Sequence, residues 1–184
     1  LRPGHRCPAA KGLAYCLVAA AGCLGNAALG EWTAQRHGRQ HAAGDQGNYD
    51  SFDPSISGDG AVVAYASRAT NLLPDDGNGV TDVFAYNRTY GETTLVSAVD
   101  GEINVFNSNG DSYTPSTSDD GSLIAFASRA TNLDPTYTDS LNFADIFVRK
   151  MNYDATVMIS VSYFGSLSTA DSYTPAISPE GAYI

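Results

Sequence analysis

Two stretches of the chain are apolar on both faces of an extended strand: "AVVAYAS" from Ala61 to Ser67 and "SLIAFAS" from Ser122 to Ser128. In the first, Val63 and Tyr65 point to one side, and Val62, Ala64 and Ala66 point to the other. An antiparallel sheet with one wet face alternates apolar and polar residues, so these strands predict sheets covered on both sides. Each stretch follows a turn signal, Asp59-Gly60 or Asp120-Gly121, and Glu180-Gly181 sets up a third. Glycine tolerates the positive φ that a tight hairpin requires, which makes these acids turn formers before anything else.

The chain aligns on itself. "ASRATNL" occurs at Ala66 to Leu72 and again at Ala127 to Leu133. "DSFDPSISGDG" (Asp50 to Gly60) matches "DSYTPSTSDDG" (Asp111 to Gly121), and "DSYTPAISPEG" (Asp171 to Gly181) opens a third copy. Pro54, Pro115 and Pro175 stand 61 and 60 residues apart. Downstream, "DVFAYNR" pairs with "DIFVRKM", and "TTLVSAV" with "TVMISVS". A fixed period with small insertions predicts a stacked repeat of four short strands per copy, the first strand around "PSIS".

The cadence P-S-I-S-x-D-G, then an apolar strand, then A-T-N-L, then D-x-N-G-x-x-D-V-F resembles the TolB-like, WD-like β-propeller repeats of exported bacterial proteins. It is carried by Pro54 to Gly60, Val62 to Ala66, Ala69 to Leu72 and Asp76 to Phe84, and resumes from Pro115 with a degenerate D-x-N-G loop. "SPEG" (Ser178 to Gly181) is close to the S-P-D-G turn of that family. The resemblance spans about residues 45 to 184 and implies an all-β, β-propeller fragment built of four-stranded antiparallel blades with a repeat of ~60 residues. The division expected is 45–110 for a first blade, 111–170 for a second and 171–184 for the start of a third. Ile184 stands where Ile124 and Val63 stand, inside a second strand, so further copies are expected to follow. Two blades and a stub expose an apolar face, and this length alone is expected to aggregate or fold poorly.

Composition agrees with strands and turns: 18 Gly, 11 Tyr, and Asp outnumbering Glu 16 to 4. Charge divides the chain. Residues 1–41 carry +4 and residues 42–184 carry −14, giving the net −10. A body that acidic repels phosphate backbones, which excludes nucleic acid as a partner.

Residues 1–24 read as a signal-like helix and 25–44 as a linker. Arg2, Arg6 and Lys11 precede the apolar run Leu13 to Leu24, too short to span a bilayer and suited to a secretory signal. "AAGC" ending at Cys23 resembles a bacterial lipobox, with Ala20 where leucine is usual. Lipidation of Cys23, an ordinary signal peptide and an unrelated segment at the edge of a gene fragment all remain open. Export to the periplasm, the cell surface or the medium is the expectation, and the one membrane contact foreseen is a lipid on Cys23.

For chemistry, "PDDGNGVTD" (Pro74 to Asp82) places Asp76, Asn78, the Val80 carbonyl and Asp82 at the alternating positions of a calcium loop. Pro74 occupies the first acid's place, and no glutamate closes the site. The second copy keeps Asp139 and Asp145 but has Leu141 for Asn78; Asx-turns explain the same letters. Histidine is absent from residues 42–184, which removes a Ser-His-Asp triad from the repeats, and "HGRQH" (His37 to His41) lacks a third metal ligand. Acids without a match in the other copy, Asp53, Glu92, Asp100 and Glu102, form no evident carboxylate pair. Arg68 and Arg129, repeated in register, are expected as structural positions that tie down their own loops by hydrogen-bonding a nearby carboxylate or carbonyl groups, a ligand channel being the alternative, and Phe52, Tyr113 and Tyr173 fit packing between copies better than sugar stacking.

No catalytic residue is assigned. The expected function is an exported, non-catalytic propeller that binds a protein, peptide or glycan. The alternatives are the N-terminal portion of a secreted hydrolase and a calcium-stabilised surface or adhesion protein.

Overall fold

The computed structural model describes residues 46–74, 76–103, 105, 108–137 and 143–184. The expected signal helix and linker, Cys23, the three histidines, Asp139 and Leu141 lie outside the described residues.

Eight strands form two sheets. The first contains β1 (Ser51–Ile56), β2 (Val62–Ser67), β3 (Asp82–Asn87) and β4 (Glu92–Leu95); the second contains β5 (Ser112–Thr117), β6 (Leu123–Ser128), β7 (Asp145–Lys150) and β8 (Ala155–Met158). Each sheet is an antiparallel meander in chain order. The register repeats as well as the topology: Tyr65 faces Phe84 in the first sheet and Phe126 faces Phe147 in the second. Their rings stack at 5.9 and 5.8 Å.

The Asp-Gly turns close as the sequence predicts. Gly60 and Gly121 adopt φ 71 and 68, and the Asp59 carboxylate accepts from the Ser57 hydroxyl and the Ala61 amide. Asp120 does the same with Ser118 and Ser122. Those bonds hold both carboxyls below the ordinary aspartate value, the Ser57 hydroxyl leading for Asp59 and the Ser122 amide for Asp120.

The first strand of each copy differs from the expectation of one around "PSIS". It begins three residues before the proline, at Ser51 and Ser112. The strand survives an internal proline because the residue ahead of it, Asp53 or Thr114, takes φ 51 or 50 and makes a bulge in the pairing. Residues 171–184 repeat the turn, with Ser178 N donating to Tyr183 O at 2.9 Å, but no strand forms there.

Every residue of β2 is buried, and so are five of the six in β6. The core between the sheets explains why. Val62, Ala64, Ala66, Val83 and Ala85 of the first sheet share one cluster with Ile124, Phe126 and Phe147 of the second. Small alanines on one sheet leave room for two phenylalanines on the next, and each fully buried ring contributes roughly 1.5–3 kcal/mol. The opposite face of the first sheet, with Val63, Tyr65, Phe84 and Leu95, is closed by Ala69, Leu72 and Leu73 of the connection after β2.

Candidate functional site

The first strands of the two copies lie side by side. The Ser55 hydroxyl accepts from Thr117 N at 3.1 Å, and one repeat later the Ser116 hydroxyl accepts from Ile177 N at 3.2 Å. This stacking brings one aromatic per copy, Phe52, Tyr113 and Tyr173, to the same edge. Tyr113 and Tyr173 stack at 6.3 Å. The two arginines of the repeated heptad join them. Arg129 Nη2 donates to the Tyr173 hydroxyl at 2.9 Å and meets Asp171 Oδ1 at 3.3 Å, so it ties its own copy to the following one. Arg68 holds its guanidinium carbon 6.0 Å from the centre of the Phe52 ring, at cation–π distance.

Charge at this edge is balanced locally. The Ala144 amide, followed by the Tyr173 hydroxyl and Arg129, holds Asp171 below the ordinary carboxylate value. Burial pushes the Tyr113 hydroxyl up, and Arg129 offsets part of that rise. Asp53, Thr114 and Thr174 adopt φ 51, 50 and 52 ahead of the three prolines, a left-handed conformation that is strained for a β-branched threonine. The Thr114 hydroxyl is buried without a hydrogen-bond partner. Pro54 and Pro115 cannot donate an amide, so backbone pairing to an added strand is blunted here. What this edge offers a ligand is side chains: guanidinium groups, ring surfaces and hydroxyls.

The loop from Pro74 to Asp82 is arranged as hydrogen-bonded turns. Asn78 Oδ1 accepts from Val80 N at 3.2 Å while its Nδ2 donates to Asp82 Oδ2 at 2.9 Å, so the amide oxygen does not face the carboxylate. Asp82 is buried and also accepts from the Ser97 and Ser108 hydroxyls. Burial raises its carboxyl, and the Ser97, Asn78 and Ser108 bonds oppose that rise. Burial, with the Asp82 charge behind it, pushes the Asp76 carboxyl up to about 6. Among the described residues no group of three or more His, Cys, Asp or Glu side chains converges as a metal site.

The unmatched acids separate. Asp53 is exposed on the bulge and Glu92 is exposed at the start of β4, whereas Asp100 and Glu102 belong to a contact between the sheets.

Two sets of residues escaped the sequence reading. Asp111 and Asp171, at the start of each "DSYTP", accept from Thr81 N and Ala144 N at 2.7 Å, and the following Ser112 N and Ser172 N donate to the carbonyls of Thr81 and Ala144. Each copy thereby clamps the entry to the third strand of the copy before it; the recurring Asp-Ser pair was the available signal. The second set centres on Arg149, whose side chain is fully buried and whose Nη2 donates to Glu102 O at 2.6 Å. An arginine in "DIFVRK" at the position where the first copy's "DVFAYN" has Tyr86 marks it in the sequence.

No known family profile matches the chain, and no curated protein matches it. Among solved structures, it is similar to TolB from Acinetobacter baumannii, with 14% identity and a TM-score of 0.39 over 72% of this chain and 25% of that one. The chain therefore spans about a quarter of that protein's length.

Proposed function

We propose that the chain works as an exported, non-catalytic β-propeller module that holds a protein, peptide or glycan partner at the inner edge of its stacked sheets. The two four-stranded sheets act as blades, and the first strand of each lines the ring's centre. The observation that carries the reading is the convergence of Arg68, Arg129, Phe52, Tyr113 and Tyr173 on one strand edge. Guanidinium groups recognise carboxylates and carbonyls through several donors at once, and flat rings take apolar or sugar faces. Because prolines interrupt that edge, the partner is read through side chains rather than by strand addition. Export rests on the basic and apolar pattern of residues 2–24.

Peptide and glycan arrays incubated with the full chain and with an Arg68→Ala variant test this. A ligand kept by the parent and lost by the variant, with both melting at the same temperature, supports the reading. Ligands held equally by both proteins, or none on either array, would refute it.

A further inference from the structure

Four arginines stand among the described residues, and three of them have oxygen partners. Arg88 donates to Gly60 O, Arg149 to Glu102 O and Asp154 O, and Arg129 to the Tyr173 hydroxyl beside its ion pair with Asp171. Arg68 is the exception. It is exposed, and its guanidinium faces the Phe52 ring with no carboxylate, carbonyl or hydroxyl acceptor among the described residues.

One letter accounts for the difference between the two repeated arginines. The second copy places Tyr113 next to Arg129, and the phenol oxygens of Tyr113 and Tyr173 hold that guanidinium against Asp171. The first copy has Phe52 at the position of Tyr113, so Arg68 finds a ring face and no phenol oxygen in its own copy. The following copy lies beside it, yet Asp111, the counterpart of Asp171, accepts from Thr81 N and makes no ion pair with Arg68. Arg68 therefore presents its planar fork of N–H donors to the outside of a complete junction between copies. The ring on one side restricts the guanidinium, which lowers the ordering cost of a two-point contact.

The chemistry that completes this fork is a carboxylate, as Asp171 does for Arg129. Residues 42–184 carry −14, so the body as a whole repels polyanions, and an acid held here is held by short-range contact with one cation. That favours an isolated carboxylate on a peptide over an acidic polysaccharide. The partners of Arg129 point the same way, since its carboxylate and phenol come from one short peptide segment, Asp171 to Tyr173.

We infer that Arg68 anchors a single carboxylate of a peptide partner, either an aspartate or glutamate side chain or the peptide's own C-terminus. The inference rests on the ligand-binding reading above and narrows it to acidic peptides.

The test is a peptide library in which every member with Asp or Glu has a twin with Asn or Gln, each made with a free and an amidated C-terminus, beside a set of uronate oligosaccharides. The full chain should hold carboxylate-bearing peptides about tenfold more tightly than their amide twins, and less tightly as salt rises. Loss on side-chain exchange or loss on amidation tells which carboxylate is bound, and either supports the inference. Arg68→Gln should bind both twins alike. Arg88→Gln removes the same charge from the opposite end of the strands and should keep the discrimination. Twins held equally by the parent, discrimination that survives in Arg68→Gln, or capture of uronate oligosaccharides without any acidic peptide would each overturn the inference. Neutral ligands lost on Arg68→Gln would overturn it and leave the broader reading standing, whereas a parent that binds nothing on either set would overturn both.

Discussion

Arg149 of the second sheet donates to the main-chain carbonyl of Glu102, 47 residues earlier, at 2.6 Å, and the same guanidinium binds Asp154 and the Thr156 hydroxyl. Burial lowers the guanidinium's pKa, and the charges of Asp154 and Asp100 oppose that shift. A fully buried cation thus fastens the first repeat's last turn to the second repeat's last hairpin. Removing it takes this donor from the part-buried carbonyls of Glu102 and Asp154 and leaves the volume of a fully buried side chain unfilled. Arg149→Ala is expected to lower stability by about 1–3 kcal/mol, read from the urea midpoint at constant slope.

Gly60 and Gly121 fill the same turn position with φ 71 and 68, but their surroundings differ. A Cβ on Gly121 would meet Val62 of the first sheet at 2.5 Å, whereas one on Gly60 would find nothing nearer than 3.6 Å. Gly60→Ala should lose about 1–2 kcal/mol from the left-handed backbone alone. Gly121→Ala adds the overlap and should lose a further 1–3 kcal/mol or so. Paired urea melts check the difference, and equal losses would mean that the sheets do not approach as closely as described.

Asp76 gives a pH dependence of definite sign. Its carboxyl titrates near 3.8 when unfolded and near 6 when folded, so between those values the folded state binds more protons and stability falls as pH rises. Above the folded value the loss is complete. Asp76 is only partly buried, and solvent screening limits the effect to about 1 kcal/mol. Asp82 shifts in the same direction and leaves a residual slope. Asp76→Asn should flatten the stability profile across this window and melt higher at neutral pH; an unchanged slope would contradict the assignment.

Tyr65 and Phe126 occupy equivalent buried positions, one with a hydroxyl and one without. Burial pushes the Tyr65 hydroxyl's pKa up, and the nearby Thr93 hydroxyl offsets part of that, yet neither oxygen has a hydrogen bond of proper geometry. Tyr65→Phe should therefore be neutral or stabilising by about 1 kcal/mol. Phe126→Ala, which opens a cavity between the two sheets, should destabilise by about 3–5 kcal/mol. Thermal melts of both variants provide the check.

Much of the strand plan was legible in the residues. Glycine after Asp59 and Asp120 fixed the hairpins, because only glycine enters the left-handed turn without strain. β2 and β6, apolar on both faces, required a cover on each side, and the second sheet supplies one for the first. The proline strands were harder to place. An internal proline argues against a strand unless a bulge accommodates it, and the positive φ of Asp53 and Thr114 is not a property that their letters announce.

The candidate edge was partly legible too. The in-register arginines and aromatics could be named, but whether Arg129 serves its own loop or the next copy depends on how far two sheets stand apart. Letter spacing also suggested oxygens converging from Asp76 to Asp82, whereas packing turned Asn78 so that its amide nitrogen faces Asp82.

The sequence by itself determined the eight strands' period, their turns and the demand for covered faces, since these follow from short-range sterics and from the water-avoidance of a strand apolar on both sides. Only the tertiary structure decided which groups meet across the repeats: Arg149 with Glu102, Thr156 with Ala98, and Tyr163 left exposed where Asp100 is bonded. Those two bonded pairings join residues 47 and 58 positions apart, and their partners are set by the stacking of whole sheets, a relation that no local pattern of letters encodes.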